Sequence, residues 1–162
     1  RLSRLSGGVA AVYVGASTEV EMKEKKDRVE DAIHATRAAL EEGVVAGGGI
    51  ALFNAYQRLD SKYKTKEGTA RNYAKKALMH GMIAPLLTIM KNADYDSSLF
   101  FDKMNKVRRQ SYGLDIKKLR YGNMFDMGII DPLKVSRNTI QNAVSVASTF
   151  LTTNCVISNK RA

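Results

Sequence analysis

Between Glu19 and Glu42 the apolar residues Met22, Val29, Ile33 and Leu40, with Thr36 among them, follow one another at steps of seven, four, three and four. At about 100° per residue those steps stack on one face, so the spacing predicts a helix over Glu19–Glu42 with that stripe buried. Thr18 followed by Glu21 marks its start as a capping box, in which the hydroxyl accepts from one free backbone N–H and the carboxylate reaches back to another. Ahead of it, "GGVAAVYVGA" alternates small and β-branched residues and reads as a short strand.

Helical patterning then stops at Gly43 and resumes at Ile50. Gly43 suits a left-handed helix terminus, where a Cβ would be strained. Val44, Val45 and Ala46 extend the chain. Gly47, Gly48 and Gly49 permit a sharp bend and leave bare backbone open to a ligand, before Leu52, Phe53 and Tyr56 carry the next apolar helix. Glycines alone favour a hinge over a nucleotide cradle. No Lys-Ser or Lys-Thr follows them as in a phosphate loop, and the spaced glycines of a dinucleotide fold are absent.

The remaining pattern is mainly helical. "TARNYAKKALMHGMIAPLLTIMKN" has apolar positions at helical spacing, with Pro85 starting a new helix or kinking the old one. "SSLFFDKMNKV" predicts a short helix capped by Ser97 or Ser98. Gly113 and Gly122 punctuate a turn-rich connection over Arg109–Asn123. Asp131 before Pro132 pairs an N-cap acid with proline at the first helical position. Beyond it Ile140, Ala143, Val144, Ala147, Phe150 and Leu151 form a wide apolar face, and "NCVIS" reads as a closing strand.

Two carboxylates have a second reading. Asp31 lies opposite the apolar stripe, with the small Ala35 and Ala38 nearby, so another surface could approach it closely. It is either a solvated acid or a carboxylate delivered into a site, where it would orient or deprotonate a water. Asp131 is either a cap alone or an acceptor for a ribose or adenine. His34 and His80 have no partner at ligand spacing, and no metal motif or Ser-His-Asp order stands out.

Composition narrows the class. With 162 residues, 44% of them hydrophobic, the chain can bury one core or two small ones. Its apolar runs are too short to cross a bilayer, so a soluble protein without membrane partners is expected. A first residue Arg1, with no leader pattern, reads as an excerpt of a longer chain. Single Cys155 reads as a small buried hydrophobe in a reducing compartment. The net charge of +10 is concentrated in Arg58–Lys76 and Lys103–Arg120, interleaved with Tyr63, Tyr73, Tyr112 and Tyr121. No nucleic-acid module accompanies these residues, so a solvated basic surface is favoured over a single-strand platform.

"VGASTEVEMKEKKDRVEDAIHATRAALEEGVVAGGGIAL" and "YGNMFDMGIIDPLKVSRNTIQNAVSVASTFLTTNCVI" resemble two segments of the group I chaperonins, the 60 kDa chaperonin or GroEL family, in the same order and at nearly the same distance. The resemblance implies a fold that is mainly α with short β-strands. Residues 1–45 would be the C-terminal segment of the intermediate domain, and residues 46–162 the C-terminal half of the equatorial, ATP-binding and ring-forming domain. It implies a subunit of an ATP-hydrolysing chaperonin that assists folding of unfolded proteins inside a ring of seven identical subunits. By the same resemblance Asp31 swings in on domain closure to activate the attacking water, Gly48 contacts the nucleotide at the domain pivot, and Asp131 binds the nucleoside end of ATP. Asp115, Ile116 and Lys117 match the turn beside the base. There the family usually has Tyr-Gly-aromatic-Asn-Ala-Ala, whereas this chain has Tyr112 to Lys117 as Tyr-Gly-Leu-Asp-Ile-Lys. Asp115 can accept from an adenine amino group but cannot donate as an amide does.

The family's phosphate loop, its magnesium-binding aspartate, and its sites for the co-chaperonin lid and unfolded clients come from regions not seen in this sequence. This polypeptide alone is therefore expected neither to hydrolyse ATP nor to fold clients, and it supplies no metal ligand. The compartment implied is the cytoplasm, with a mitochondrial or plastid matrix as the alternative. The competing reading is a shortened, chaperonin-derived binding or assembly module without ATPase activity. A nucleic-acid binder ranks last.

Overall fold

A computed structural model of the chain describes residues 10–62, 68–107 and 109–158. Tyr63, Lys64, Lys66 and Arg108 of the basic stretches lie outside the described residues, as do Gly7 to Val9 of the first strand reading. The chain divides into two compact units, Arg1–Arg37 and Ala38–Ala162. The fold is mainly helical with short strands, in line with the sequence pattern.

In the first unit, residues 10–16 form no strand, and Val12 and Tyr13 are exposed. The alternating pattern has no ladder to join, and a strand without a hydrogen-bonded neighbour is not stable in water. Helix α1 spans Glu19–Glu42, as the spacing predicts. Thr18 Oγ1 accepts from the Glu21 N–H at 3.2 Å, which is the hydroxyl half of the predicted capping box. Glu19 and Glu21 add negative charge in the first turn, where the helix dipole favours it. The predicted buried stripe is corrected: α1 has no buried residue, and Met22, Ile33 and Leu40 are exposed.

The second unit opens at Ala38, within the last turns of α1. Gly43 has φ +82° and donates to the Ala39 carbonyl at 2.8 Å, so it takes the left-handed terminus expected of it. Strand β1, Val44–Ala46, pairs antiparallel with β4, Ile130–Pro132, placing Val45 opposite Asp131. Helices α2 (Ile50–Lys62), α3 (Ala70–Asn92) and α4 (Ser97–Val107) follow. A hairpin of β2 (Tyr112–Asp115) and β3 (Arg120–Asn123) then leads through β4 into α5, Leu133–Leu151.

Pro85 starts no new helix, because α3 continues through it from Ala70 to Asn92. The carbonyl four residues earlier belongs to the exposed Gly81, so water can take the hydrogen bond that proline cannot supply. The connection predicted as turns proves to be the β2/β3 hairpin, in which Gly113 stands directly opposite Gly122. The closing strand is absent. Residues 155–158 join no strand among the described residues, and Cys155 is exposed rather than buried.

The core lies among α2, α3, α4 and the hairpin. Ile50, Phe53, Leu86, Met90, Phe100, Met104, Leu114 and Met124 form one buried cluster with Ala46. Helix α5 contributes no buried residue, and Val144, Phe150 and Leu151 of its apolar face are exposed.

Helix α4 is capped one or two residues earlier than predicted. Asp96, not Ser97 or Ser98, supplies the acceptors: Oδ1 takes the Ser98 N–H and Oδ2 the Ser98 hydroxyl, both at 2.8 Å. The backbone bond and then the hydroxyl bond hold the Asp96 carboxyl below its ordinary value, because both favour the charged form. A lowered folded value means that this contribution is present above the ordinary carboxylate range and is lost as pH falls through the lowered value. Asp96→Ala should therefore speed amide exchange in the first turn of α4 at neutral pH, with the gap to the parent closing in acid. An unchanged exchange rate at Ser98 at neutral pH would contradict the cap.

Candidate functional site

The triple glycine builds one wall of a cleft in the second unit. Gly47 donates to the Ile129 carbonyl at 3.0 Å, which extends the β1/β4 pairing by one step. Gly48 and Gly49 then take φ +64° and +79°, conformations that an L side chain adopts only with strain. A Cβ on Gly49 would also stand 3.0 Å from the backbone nitrogen of Leu86, so the turn is pressed onto α3. The bare backbone of Gly48 is left on the cleft side.

The β2/β3 hairpin builds the facing wall. A Cβ on Gly113 would meet Met124 Sδ at 2.6 Å and Ile50 Cγ1 at 2.8 Å, so glycine there lets the hairpin sit tightly on the core. Met124 reaches Gly48 as well: its methyl would lie 3.4 Å from a Cβ on that residue. One buried methionine thus underlies both the glycine turn and the strand that ends at Asp115. The cleft between them has a volume of about 440 Å³ and is lined by Gly48, Leu86, Ile89, Met90, Leu114, Asp115, Ile116, Lys117, Lys118, Met124 and Ile129. Its walls are mostly apolar, and charge is confined to Asp115 and the two lysines.

Asp115 is buried, and its Oδ1 accepts from the backbone N–H groups of Lys117 at 3.1 Å and Lys118 at 3.2 Å. This local turn uses the carboxylate as an internal acceptor and aligns the chain that carries Ile116 and Lys117. Four of the residues singled out in the sequence, Gly48, Asp115, Ile116 and Lys117, therefore line one cleft although Gly48 lies far from the other three in the chain.

Asp131 does not line this cleft. It is half-buried on β4, two residues beyond Ile129, which does line it. Nor is it an N-cap: helix α5 begins at Leu133 after Pro132, and no side chain caps it. The free Leu133 N–H is taken instead by the carbonyl of Gly43, at 3.1 Å. Ion pairs from Lys134 to Glu41 and from Arg137 to Glu42 join the start of α5 to the residues just before Gly43. The bidentate contact with Arg137 holds the Glu42 carboxyl below its ordinary value and Arg137 above its own.

Asp31 belongs to the first unit, where it is exposed on α1 and has no hydrogen bond or ion pair among the described residues. His34 and His80 are exposed. No group of three or more His, Cys, Asp or Glu that could hold a metal occurs among the described residues. No helix among them is long and apolar enough to cross a membrane.

Sequence reasoning did not find the walls formed by Leu86, Met90, Met124 and Ile129, nor the rim position of Lys118. Strands as short as "YGLD" and "RYGN" carry too little β-branched character to announce a hairpin. The usable signal was the pair Gly113 and Gly122, whose opposition closes the hairpin onto methionine side chains.

The model of the TCP-1/cpn60 chaperonin family matches residues 3–161. Among solved structures, the chain is similar to one described as the crystal structure of a group III chaperonin in the open state. The TM-score is 0.76 at 24% identity, over 89% of this chain and 30% of that one.

Proposed function

The chain belongs to the TCP-1/cpn60 chaperonin family, and from that premise we propose that it is part of a group I chaperonin subunit that assists protein folding with energy from ATP. The observation that carries this reading is the cleft, where a left-handed glycine turn, an apolar slot and the Asp115 turn come together from distant parts of the chain. An apolar slot with a few polar groups at its rim is the usual form of a small-ligand site.

In this reading residues 46–162 are the C-terminal half of an equatorial domain, and residues 1–45 complete an intermediate domain. The slot takes the base, beside Asp115, Ile116 and Lys117. Gly48 lets the nucleotide approach bare backbone, and Asp131 accepts from the nucleoside end. ATP supplies the phosphoryl group whose transfer to water drives the cycle, a reaction that depends on positioning and charge neutralisation. Asp31 orients or deprotonates that water when its helix is delivered to the site, which ties turnover to conformation. Magnesium ligands belong to other parts of the subunit. The exposed apolar residues of α5 suit burial against further protein in the assembled subunit. Identical subunits form seven-membered rings in the cytoplasm, and the co-chaperonin lid and unfolded clients bind elsewhere on them.

The test is ATP binding and magnesium-dependent ATP turnover by the full natural polypeptide. Turnover at a chaperonin-like rate supports the reading. Binding without turnover would favour an assembly module that has lost its ATPase, and absence of binding would remove the nucleotide site altogether.

A further inference from the structure

Asp115 is the only polar or charged side chain found buried among the described residues, at 9% exposure, and it faces the cleft. Its two oxygens differ. Oδ1 is held by the backbone N–H groups of Lys117 and Lys118. Oδ2 has no hydrogen-bond partner among the described residues, and since no partnerless side-chain oxygen among them is sealed from solvent, Oδ2 keeps some accessible surface. Beside it, Lys117 and Lys118 line the same cleft and are exposed, with no ion pair among the described residues. The rim thus offers one anionic acceptor next to two cationic donors, above an apolar slot of a size to admit a flat ring.

We propose that Asp115, with Lys117 and Lys118, makes this cleft a purine site that accepts guanine nucleotides at least as well as adenine nucleotides. The inference rests on the nucleotide reading of the cleft and narrows it to the choice of base. An ionised carboxylate only accepts hydrogen bonds. Guanine presents two adjacent donors, N1–H and the exocyclic N2 amino group, which a single carboxylate oxygen can receive together. Its O6 and N7 then face the lysines, a pairing that ammonium groups make readily. Adenine presents one donor, the N6 amino group, beside the bare lone pair of N1. A carboxylate brought up to that edge gains one hydrogen bond and sets its own lone pair against another. An amide at this position would avoid that repulsion by donating to N1, and Asp115 cannot.

Equilibrium binding of ADP and GDP to the full natural polypeptide, measured by calorimetry with magnesium present, tests this. The expected result is a dissociation constant for GDP equal to or below that for ADP. Asp115→Asn should shift the ratio toward ADP by about tenfold, equivalent to about 1.4 kcal/mol. Asparagine keeps an oxygen for the Lys117 and Lys118 N–H groups, and an unchanged melting curve would show that the turn survives. As a second, exposed pair of changes, Lys117→Ala with Lys118→Ala should weaken GDP more than ADP. A parent protein that prefers ADP tenfold or more, or a ratio that Asp115→Asn leaves unmoved, overturns the base assignment while leaving the nucleotide site standing. Failure to bind either nucleotide overturns the site itself, and the base assignment with it.

Discussion

Replacing Asp31 with alanine in the full natural polypeptide should lower ATP turnover by about 10²- to 10⁴-fold, the range for loss of a positioned general base. Nucleotide affinity should stay close to that of the parent. The prediction is clean because Asp31 has little else to do. It is exposed on α1 and has no hydrogen bond or ion pair among the described residues, so its removal breaks no such bond among them. Alanine is also a better helix former than aspartate, which leaves α1 at least as stable. Any loss of turnover therefore reports on chemistry rather than folding. A fall in kcat with little change in binding is the signature of an interaction made only in the transition state. If turnover drops less than tenfold, or nucleotide affinity falls in step with it, Asp31 is a solvated acid and the water is activated by another group.

The largest expected effect on stability lies in the second unit, at Phe100. Its side chain has no exposed surface, and its ring meets three others: Phe53 at 5.6 Å and Phe101 at 5.7 Å, both edge to face, and Tyr121 at 6.4 Å, nearly parallel. Tyr121 belongs to the hairpin, and its hydroxyl lies 3.0 Å from that of Tyr95. Phe100 therefore joins α4 to α2 and to the wall that carries Asp115. Phe100→Ala should cost about 3 to 5 kcal/mol, combining lost transfer energy with the cavity left behind. Lost ring pairing, worth about 0.5 to 1.5 kcal/mol for each pair beyond area burial, belongs to the same measured total. Urea unfolding of the full natural polypeptide, followed by a probe in this unit, would measure it. Asp102→Ala, at an exposed polar position of α4 itself, is the control, with a change within about 0.5 kcal/mol. A cost below about 1.5 kcal/mol at Phe100 would mean that the ring cluster collapses to fill the space.

Local signals were legible where the physics is local. Periodicity and the Thr18 cap set the span of α1, and Gly43 marked its end, because turn geometry and capping involve residues within a few positions of each other. The same reasoning anticipated the bend at Gly47 to Gly49. It misplaced the α4 cap by one or two residues and gave Asp131 a capping role that the chain assigns to no side chain, since near an element boundary several residues offer equivalent chemistry.

What the sequence by itself determined about this protein was the order of its helices, the chemistry available at Asp31, Gly48, Asp115 and Asp131, and the long motifs that place it among chaperonins. Only the tertiary structure decided which apolar stripes are buried. The face of α5 is as periodic as any in the chain and the stripe of α1 runs along its length, yet neither helix holds a buried residue, whereas Phe53, Met90, Phe100 and Met124 form the core. Amphipathic spacing states that a face can be covered, and coverage depends on a second element arriving from elsewhere in the chain. The cleft follows the same rule. Gly48 and Asp115 became neighbours because Gly113 lacks a Cβ where Met124 and Ile50 press against it, a contact between segments that no local pattern encodes.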